Sequence, residues 1–239
     1  MPYFEIKGEY PIPSDPTILS RYYLKEKFVS FIETSNLYLT QIEKFKNDEI
    51  IFSLIDKQMI REKHKNLGRG NWREDADIEI KNFEALRYCS YLNCWTTEYL
   101  ELRKFWEKYG ESKDSVMIRT SAKKLKQEIH KSGFNVYLAR VTYYDPISDP
   151  LGKWNTIKMV ARKPNDFIWE QEARIVISRF LKKEVFQNHL EIEIDVSALI
   201  DEIIISPFAS EGYLEEVQKL VSNRGINAKI IKPSTINLH

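Results

Sequence analysis

The stretch FIWEQEARIVIS, residues 167–178, ends in an apolar run whose length and β-branched content predict a buried strand. Each neighbouring strand candidate is short, rich in Val, Ile and Tyr, and bounded by turn residues. These candidates are NVYLARVTYY (135–144), NTIKMVAR (155–162) and LEIEIDV (190–196). Together the four segments predict a mixed, mainly antiparallel sheet in the second half of the chain.

The tail of the chain, residues 201–233, has a different pattern. It reads as a strand, a helix capped by Ser210 and closed by Gly225, and a second strand. A βαβ unit of this kind adds parallel pairing at one side of a sheet. We therefore expect a C-terminal βαβ subunit over about residues 190–239.

The first half of the chain is predicted to be mostly helical. Apolar spacing predicts a helix over residues 20–36, followed by the short strand LYLT, and two further helices near residues 77–91 and 99–110. Gly110 is placed to end the last of these, and Ser121 to cap the next helix. Helices followed by strands indicate an α+β fold, which we expect to form a single domain over residues 1–239.

Composition limits the classes of function. The 36 Lys and Arg residues against 35 Asp and Glu give a net charge of +1, which argues against bulk wrapping of nucleic acid. The two cysteines, Cys89 and Cys94, do not combine with the four histidines in any zinc-site spacing, so no metal is predicted. With no signal-peptide pattern and no apolar run of membrane-spanning length, we expect a cytoplasmic protein without membrane contact.

Glu170 and Glu172 are the most specific chemical signal. On a strand, residues i and i+2 point to the same face, about 6.6 Å apart, so both carboxylates could serve one reacting centre. In a dry site each would disfavour ionisation of the other, and one would have a raised pKa. The alternative is structural: Glu172 pairs with Arg174, or with a cross-strand lysine, on a solvated edge.

The order of several segments resembles an uncharacterised family of bacterial and phage proteins of unknown function. The matching stretches are RYY (21–23), LYLTQIEKFKNDE (37–49), FWEKYG (105–110), FIWEQEAR (167–174) and EIIISPFAS (202–210). The E-x-E motif followed by an aliphatic strand is also similar to the glutamate motif of ADP-ribosyltransferases. In that comparison Arg21 matches the early basic residue, and Thr96 and Thr97 match a hydroxyl-rich strand.

This second resemblance implies an ADP-ribosyltransferase-like fold and NAD as the substrate. Glu172 would stabilise the positive charge that develops on the ribose by accepting from its 2′-hydroxyl, and Glu170 would take the proton of the acceptor. Arg21 would bind a phosphate of the cofactor, and Tyr22, Tyr23 or Tyr38 would stack on nicotinamide. The implied reaction is ADP-ribosyl transfer or NAD hydrolysis, in phage defence or as a toxin.

A basic stretch offers a separate, nucleic-acid-binding hypothesis. Residues 61–73 read as an exposed loop whose cations would meet phosphates and whose tryptophan would stack on a base. The candidate residues are Arg61, Lys63, Arg69, Trp72 and Arg73. The alternative is a solvated connection, because the acidic run EDADIE follows directly.

Two rival functions stay open at this point. In one, the chain is a non-catalytic module that binds nucleic acid or a partner protein, and the glutamates form structural pairs. In the other, Glu170 and Glu172 hold a divalent metal in a nuclease-like site, which requires further carboxylates to converge on them. The acceptor and the oligomeric state are not encoded in any pattern of the sequence.

Overall fold

The structure is a computed structural model that describes residues 10–45, 54–68, 70–98, 103–145, 155–179 and 187–233. It has an α+β fold built around a mixed, mainly antiparallel sheet. The described helices are α1 (Lys25–Thr34), α2 (Leu54–Asn66), α3 (Trp72–Cys89), α4 (Arg103–Tyr109), α5 (Ala122–His130), α6 (Thr156–Val160), α7 (Val196–Leu199) and α8 (Tyr213–Asn223). Two 3₁₀-helices span Ile42–Lys44 and Asn165–Glu170.

The described strands run in chain order through both halves of the molecule. They are β1 (Ile18–Leu24), β2 (Asn36–Gln41), β3 (Ser90–Thr96), β4 (Ser115–Ser121), β5 (Val136–Arg140), β6 (Thr142–Tyr144), β7 (Arg162–Pro164), β8 (Glu172–Ser178), β9 (His189–Glu193), β10 (Glu202–Ile205) and β11 (Lys229–Ile231). In the main sheet the order is β11-β10-β4-β1-β3-β2-β9. Strand β3 also pairs with β8, and β8 pairs in turn with β5. Only β10 and β11 are parallel there, while β6 and β7 form a separate parallel pair.

Helices cover both faces of the main sheet. On one face, α1, α5 and α8 contribute apolar side chains to the largest buried cluster, together with alternate residues of β4 such as Val116 and Ile118. The intervening Met117 points to the opposite face, where it packs with Trp106 of α4. This period-two alternation is what a sheet covered on both faces requires.

The C-terminal βαβ unit is confirmed, with a later start than expected. It comprises β10, α8 and β11 and occupies one edge of the sheet, and Gly225 closes its helix at a positive φ of 63°. The preceding strand β9 instead pairs with β2 at the opposite edge. Ser210 does not cap α8, because its amide and hydroxyl bond to Asp114 and the helix begins after Gly212.

Two local predictions were wrong. Residues 18–24 form β1 rather than the start of a helix, because they pair with β4 over seven consecutive positions. Residues 156–160 form helix α6 rather than a strand, because the Asn155 side chain accepts from the amide of Lys158 and caps the helix. Ser121 caps α5 as predicted. No helix in the described ranges combines the length and apolar character needed to cross a bilayer.

Candidate active site

The main sheet splits beside the middle of β3. One edge of β3 pairs with β8 along its whole length, whereas the other edge pairs with β2 near its start and with β1 only at Thr96. Between these points, the carbonyl of Cys94 accepts a hydrogen bond from the Arg21 guanidinium. The Asn93 amide donates to the carbonyl of Tyr38 at 2.9 Å. Side chains thus replace part of the backbone pairing at the split.

A cavity of about 420 Å³ lies at this split. Its walls come from β1, β2 and β3, from α4, and from the segment that leads into β8. The lining includes Arg21, Tyr22, Thr96, Glu170 and Glu172, which the antiparallel pairing of β1 and β8 with β3 makes neighbours. Tyr23 lines it as well, so the structure brings together six of the eight residues that the resemblance to ADP-ribosyltransferases pointed to.

The two glutamates reach the cavity by a turn, not by strand alternation. Glu170 is the last residue of the 3₁₀-helix, Gln171 adopts the left-handed conformation (φ 42°, ψ 51°), and Glu172 begins β8. Both carboxylates are buried, with 2% and 7% of their surface exposed. The prediction that both lie on one strand was wrong. Its alternative was right to pair Glu172 with Arg174 but wrong to place the pair on a solvated edge.

Glu172 forms a buried bidentate ion pair with Arg174. Nε and Nη2 of Arg174 lie 2.9 Å from the two carboxylate oxygens, and its Nη1 donates to the carbonyl of Val160 at 2.6 Å. Burial alone would raise the pKa of Glu172, but the charges and hydrogen bonds of Arg174 and the charge of Lys163 outweigh it and lower that pKa to about 2. Glu172 is therefore ionised at neutral pH and is not a member of the pair with a raised pKa.

Glu170 is held by two lysines. Lys108 Nζ lies 2.6 Å from Oε1, and the buried Lys163 Nζ lies 2.5 Å from Oε2. Lys163 is also 3.6 Å from an oxygen of Glu172, so it bridges the two carboxylates. Alternating charges of this kind offset the cost of burying each group.

Two neutral donors complete the carboxylate side of the cavity. Burial, and then the charges of Glu170 and Glu172, raise the pKa of the Tyr109 hydroxyl, which hydrogen-bonds Glu170. Burial and the charge of Glu172 likewise raise the pKa of the Cys94 thiol. Both groups are protonated at neutral pH, so Cys94 is not an activated nucleophile.

The charges around the cavity favour an anionic ligand. The cationic side chains that line it or pair with its carboxylates are Arg21, Lys27, Lys108, Lys163 and Arg174. The carboxylates in the lining are Glu111, Glu170 and Glu172. The lining itself holds three cations and three carboxylates, and the excess of cations comes from Lys163 and Arg174 behind it and from Lys113, which pairs with Glu111 at 2.8 Å.

Arg21 and Tyr22 line the cavity from adjacent positions on β1. The Arg21 guanidinium sits 5.1 Å from the ring of Tyr23, and its buried Nε has no partner among the described residues. Tyr22 stacks on Phe105 with ring centroids 5.5 Å apart. Arg21 thus retains a donor for a ligand, and Tyr22 belongs to an aromatic cluster at the cavity wall.

The remaining cofactor candidates have structural contacts. The Thr96 hydroxyl donates to the carbonyl of Glu170 at 2.6 Å, and that of Thr97 to the carbonyl of Gln171 at 2.9 Å, so both threonines brace the glutamate turn. Tyr38 does not line the cavity. It is 47% exposed and stacks on His189 at 4.5 Å.

The basic stretch 61–73 is not the loop that its composition predicted. Arg61 and Lys63 lie in α2, Trp72 and Arg73 begin α3, and Arg69 lies outside the described residues. Lys63 Nζ is 3.0 Å from Glu79 and Arg61 is 3.6 Å from Asp77, while Arg73 lies over the Trp72 ring. The acidic run was expected to offset these cations, and its Asp77 and Glu79 do so through ion pairs between α2 and α3.

Sequence reasoning missed the lysines of the site. Lys163 lies on β7 after a stretch wrongly predicted as a strand, and Lys108 belongs to a helix matched only for its aromatic residues. No local pattern marks a lysine whose carboxylate partner is brought in by tertiary packing. A metal-binding donor set is equally absent in the described ranges, which contain no cluster of three or more His, Cys, Asp or Glu suited to an ion.

Comparisons of the chain with protein-family models, curated proteins and solved structures found no match. Function must therefore be inferred from the cavity itself.

Proposed function

We propose that this chain binds NAD in the split-sheet cavity and cleaves the bond between nicotinamide and ribose, passing ADP-ribose to an acceptor or to water. One observation supports this above all: Arg21, Tyr22, Thr96 and Glu172, from distant parts of the chain, line the same cavity. The excess of cations among the lining residues and their ion-pair partners suits the pyrophosphate of NAD.

Glu172 has the properties that the bond cleavage requires. Its pKa of about 2 keeps it a carboxylate, which can accept from the ribose 2′-hydroxyl and stabilise positive charge at C1′. Arg174 occupies one lone pair of each oxygen, and a carboxylate has about four acceptor positions, so capacity remains. Arg174 also fixes the orientation of the carboxylate.

The proposed reaction transfers ADP-ribose from nicotinamide to an acceptor or to water. The C1′–N bond breaks and its electron pair leaves with nicotinamide, which departs neutral because the ring nitrogen was cationic. A lone pair of the acceptor, or of water, forms the new bond to C1′, and the acceptor releases one proton. Both oxygens of Glu170 are bound by lysines, so we assign it to positioning Lys108 and Lys163, and the released proton passes to solvent.

Arg21 is the proposed phosphate ligand. Its Nε is buried without a described partner, and a guanidinium can bind a phosphate oxygen through such a donor. Lys27 also lines the cavity and has no carboxylate partner among the described residues. Tyr22 provides the aromatic surface for the nicotinamide ring in this proposal.

The test is incubation of the full chain with labelled NAD, with and without protein and nucleic-acid acceptors. We expect Glu172→Gln to lower turnover by roughly 100- to 1000-fold while NAD still binds, and Arg21→Gln to weaken binding. Glu215→Gln, on an exposed position of α8, is the matched control and should behave as the native chain. Absence of both NAD binding and NAD turnover in the native protein would overturn the proposal.

A non-catalytic binding module is the second candidate. The observation that favours it is the pairing of all four carboxylate oxygens of Glu170 and Glu172: Arg174 holds Glu172, and two lysines hold Glu170. In that case NAD or another nucleotide binds without being consumed, and Glu172→Gln alters stability rather than turnover. The same incubation separates the two candidates.

The biological setting is part of the proposal. The resemblance to bacterial and phage proteins implies phage defence or toxicity, through consumption of NAD or modification of a macromolecule. A cytoplasmic location fits this role, because NAD is available there and both cysteines are free thiols.

A further inference from the structure

An exposed aromatic and cationic surface lies beside the carboxylate end of the cavity. We define it as the cavity rim, formed by Lys104, Lys108, Phe167, Ile168 and Trp169. The three apolar residues lie on the 3₁₀-helix directly before Glu170. Ile168 is 51% exposed, and the flanking rings are half-buried. An exposed isoleucine between two partly exposed rings offers an apolar surface to a ligand.

The two lysines of the rim lie over these rings. Lys104 Nζ is 4.2 Å from the centroid of Trp169, and Lys108 Nζ is 5.4 Å from Trp169 and 5.3 Å from Phe167. The lysines are four residues apart on α4, so they project from the same helix face. Phosphates and aromatic rings of a ligand would therefore meet cations and rings on one surface.

Charges near the rim leave Lys104 free to bind an anion. It has no carboxylate partner among the described residues, whereas Lys108 is paired with Glu170. Glu107, the acidic residue of α4, pairs with Arg103 at 2.5 Å. Asp166 is the exposed acid on the 3₁₀-helix. The rim thus contains two lysines next to one exposed carboxylate.

We propose that the cavity rim binds single-stranded nucleic acid as the second substrate of this site. Lysines that neutralise backbone phosphates, combined with aromatic rings on which unpaired bases stack, are the features by which proteins hold single strands. A duplex would not present its base faces to Phe167 and Trp169. A basic peptide would be repelled by the lysines.

The identification of the strand as acceptor rests on the proposed function, but strand binding does not. A nucleophilic atom of the strand would form the bond to C1′ of ADP-ribose as nicotinamide leaves, and the strand would lose one proton. The rim is also a different surface from the α2–α3 segment that composition pointed to. There, Arg61 and Lys63 are paired with carboxylates.

The test is fluorescence anisotropy with a labelled 20-nucleotide single strand, without NAD, over a series of salt concentrations. We expect Lys104→Gln to weaken binding several-fold and to reduce the salt slope by about one. Trp169→Ala should weaken it roughly tenfold, through loss of base stacking. Arg73→Gln, an exposed arginine of the α2–α3 segment, is the matched control and should bind as the native chain does.

Each outcome has a separate meaning. Trp169 contacts Phe105, so its replacement could perturb packing, whereas Lys104 is exposed and its replacement is neutral for folding. Unchanged affinity in Lys104→Gln, or an equal loss in Arg73→Gln, overturns the rim proposal. Equal displacement of the strand by poly-glutamate also overturns it, because charge alone would then explain binding. NAD turnover is measured separately in the native chain and in Glu172→Gln. It tests the proposed function independently of the result of the strand-binding assay.

Discussion

At the scale of single residues, the site is organised by one buried ion pair. Arg174 is 1% exposed and binds both oxygens of Glu172, while Lys163 bridges Glu172 and Glu170. Such a network fixes the carboxylates in one orientation and keeps Glu172 ionised. In the proposed function, the same pair would also orient Glu172 towards the ribose.

The lowered pKa of Glu172 predicts a specific loss of stability in acid. Its folded-state pKa of about 2 lies below its ordinary value of 4.5, so its stabilising contribution is present above pH 4.5 and is lost as the pH falls towards 2. That contribution is about 3 kcal/mol. Urea denaturation between pH 7 and 2.5 should show a steeper decline for the native chain than for Glu172→Gln. Parallel curves for the two would contradict the prediction, and Glu215→Gln should follow the native curve.

Removing one partner of the pair should cost more than removing both. Arg174→Met leaves the Glu172 carboxylate buried beside Lys163 alone, and we expect a loss of about 3–5 kcal/mol in the free energy of unfolding. The double variant Glu172→Leu with Arg174→Met buries no unpaired member of this pair and should be more stable than Arg174→Met. A double-mutant cycle from urea midpoints measures this, and strictly additive losses would show that the pair contributes nothing.

At the scale of elements, two short pieces position the chemistry. The left-handed Gln171 joins a 3₁₀-helix to β8, and Thr96 and Thr97 fix this turn by bonds to the carbonyls on either side. Helix α4 brings Lys108 and Tyr109 to the same place, and it ends at Gly110 as the sequence predicted.

Gly110 is required by close packing at the end of α4. A Cβ there would lie 2.7 Å from Ser115 Oγ and 2.8 Å from the carbonyl oxygen of Trp106. Because the carbonyl is backbone, we expect Gly110→Ala to destabilise the protein by about 1–3 kcal/mol and to weaken nucleotide binding by shifting Lys108. Gly133→Ala, where no atom lies within 4 Å, is the control and should change stability by less than about 0.5 kcal/mol. Equal urea midpoints for the two variants would refute the packing argument.

At the scale of the whole molecule, the split in the sheet creates the cavity. Strands β1 and β2 share one edge of β3 without filling it, and the space between them is closed by α4 and the glutamate turn. Most of the buried apolar residues in the described ranges belong to the cluster that spans α1, α5 and α8, and Tyr23 and Trp95 of this cluster also line the cavity.

The α2–α3 segment has its own small apolar cluster, which predicts uneven stability across the molecule. The cluster comprises Ile60, Ala76, Ile80 and Phe83, with Met59 and Met159 against it. Because its ion pairs are partly exposed and contribute little, we expect amides of α2 to exchange with deuterium before those of β4 and β8. Hydrogen exchange followed by mass spectrometry tests this. Equal protection of α2 and β4 would indicate that the whole chain opens as one unit.

Local patterns predicted much of the fold but only part of the site. Three of the four strands predicted in the second half, the Ser121 cap, the closure at Gly225 and the end of α4 at Gly110 all depend on interactions within a few residues, and these are present. The predictions for residues 18–24 and 156–160 failed for different reasons. Residues 18–24 form a strand because they pair with β4 at seven positions. Residues 156–160 form a helix because an asparagine side chain caps its first turn.

By itself, the sequence determined the α+β class, the βαβ tail and the buried strand at the end of FIWEQEARIVIS, because periodicity, caps and turn residues are local properties. Only the tertiary structure decided that Glu170 and Glu172 are buried rather than on a solvated edge. It alone placed Lys108 and Lys163 on Glu170, and Phe167 and Trp169 at an open rim. These arrangements depend on strand register and helix packing between distant segments, and no local pattern in the chain encodes such distances.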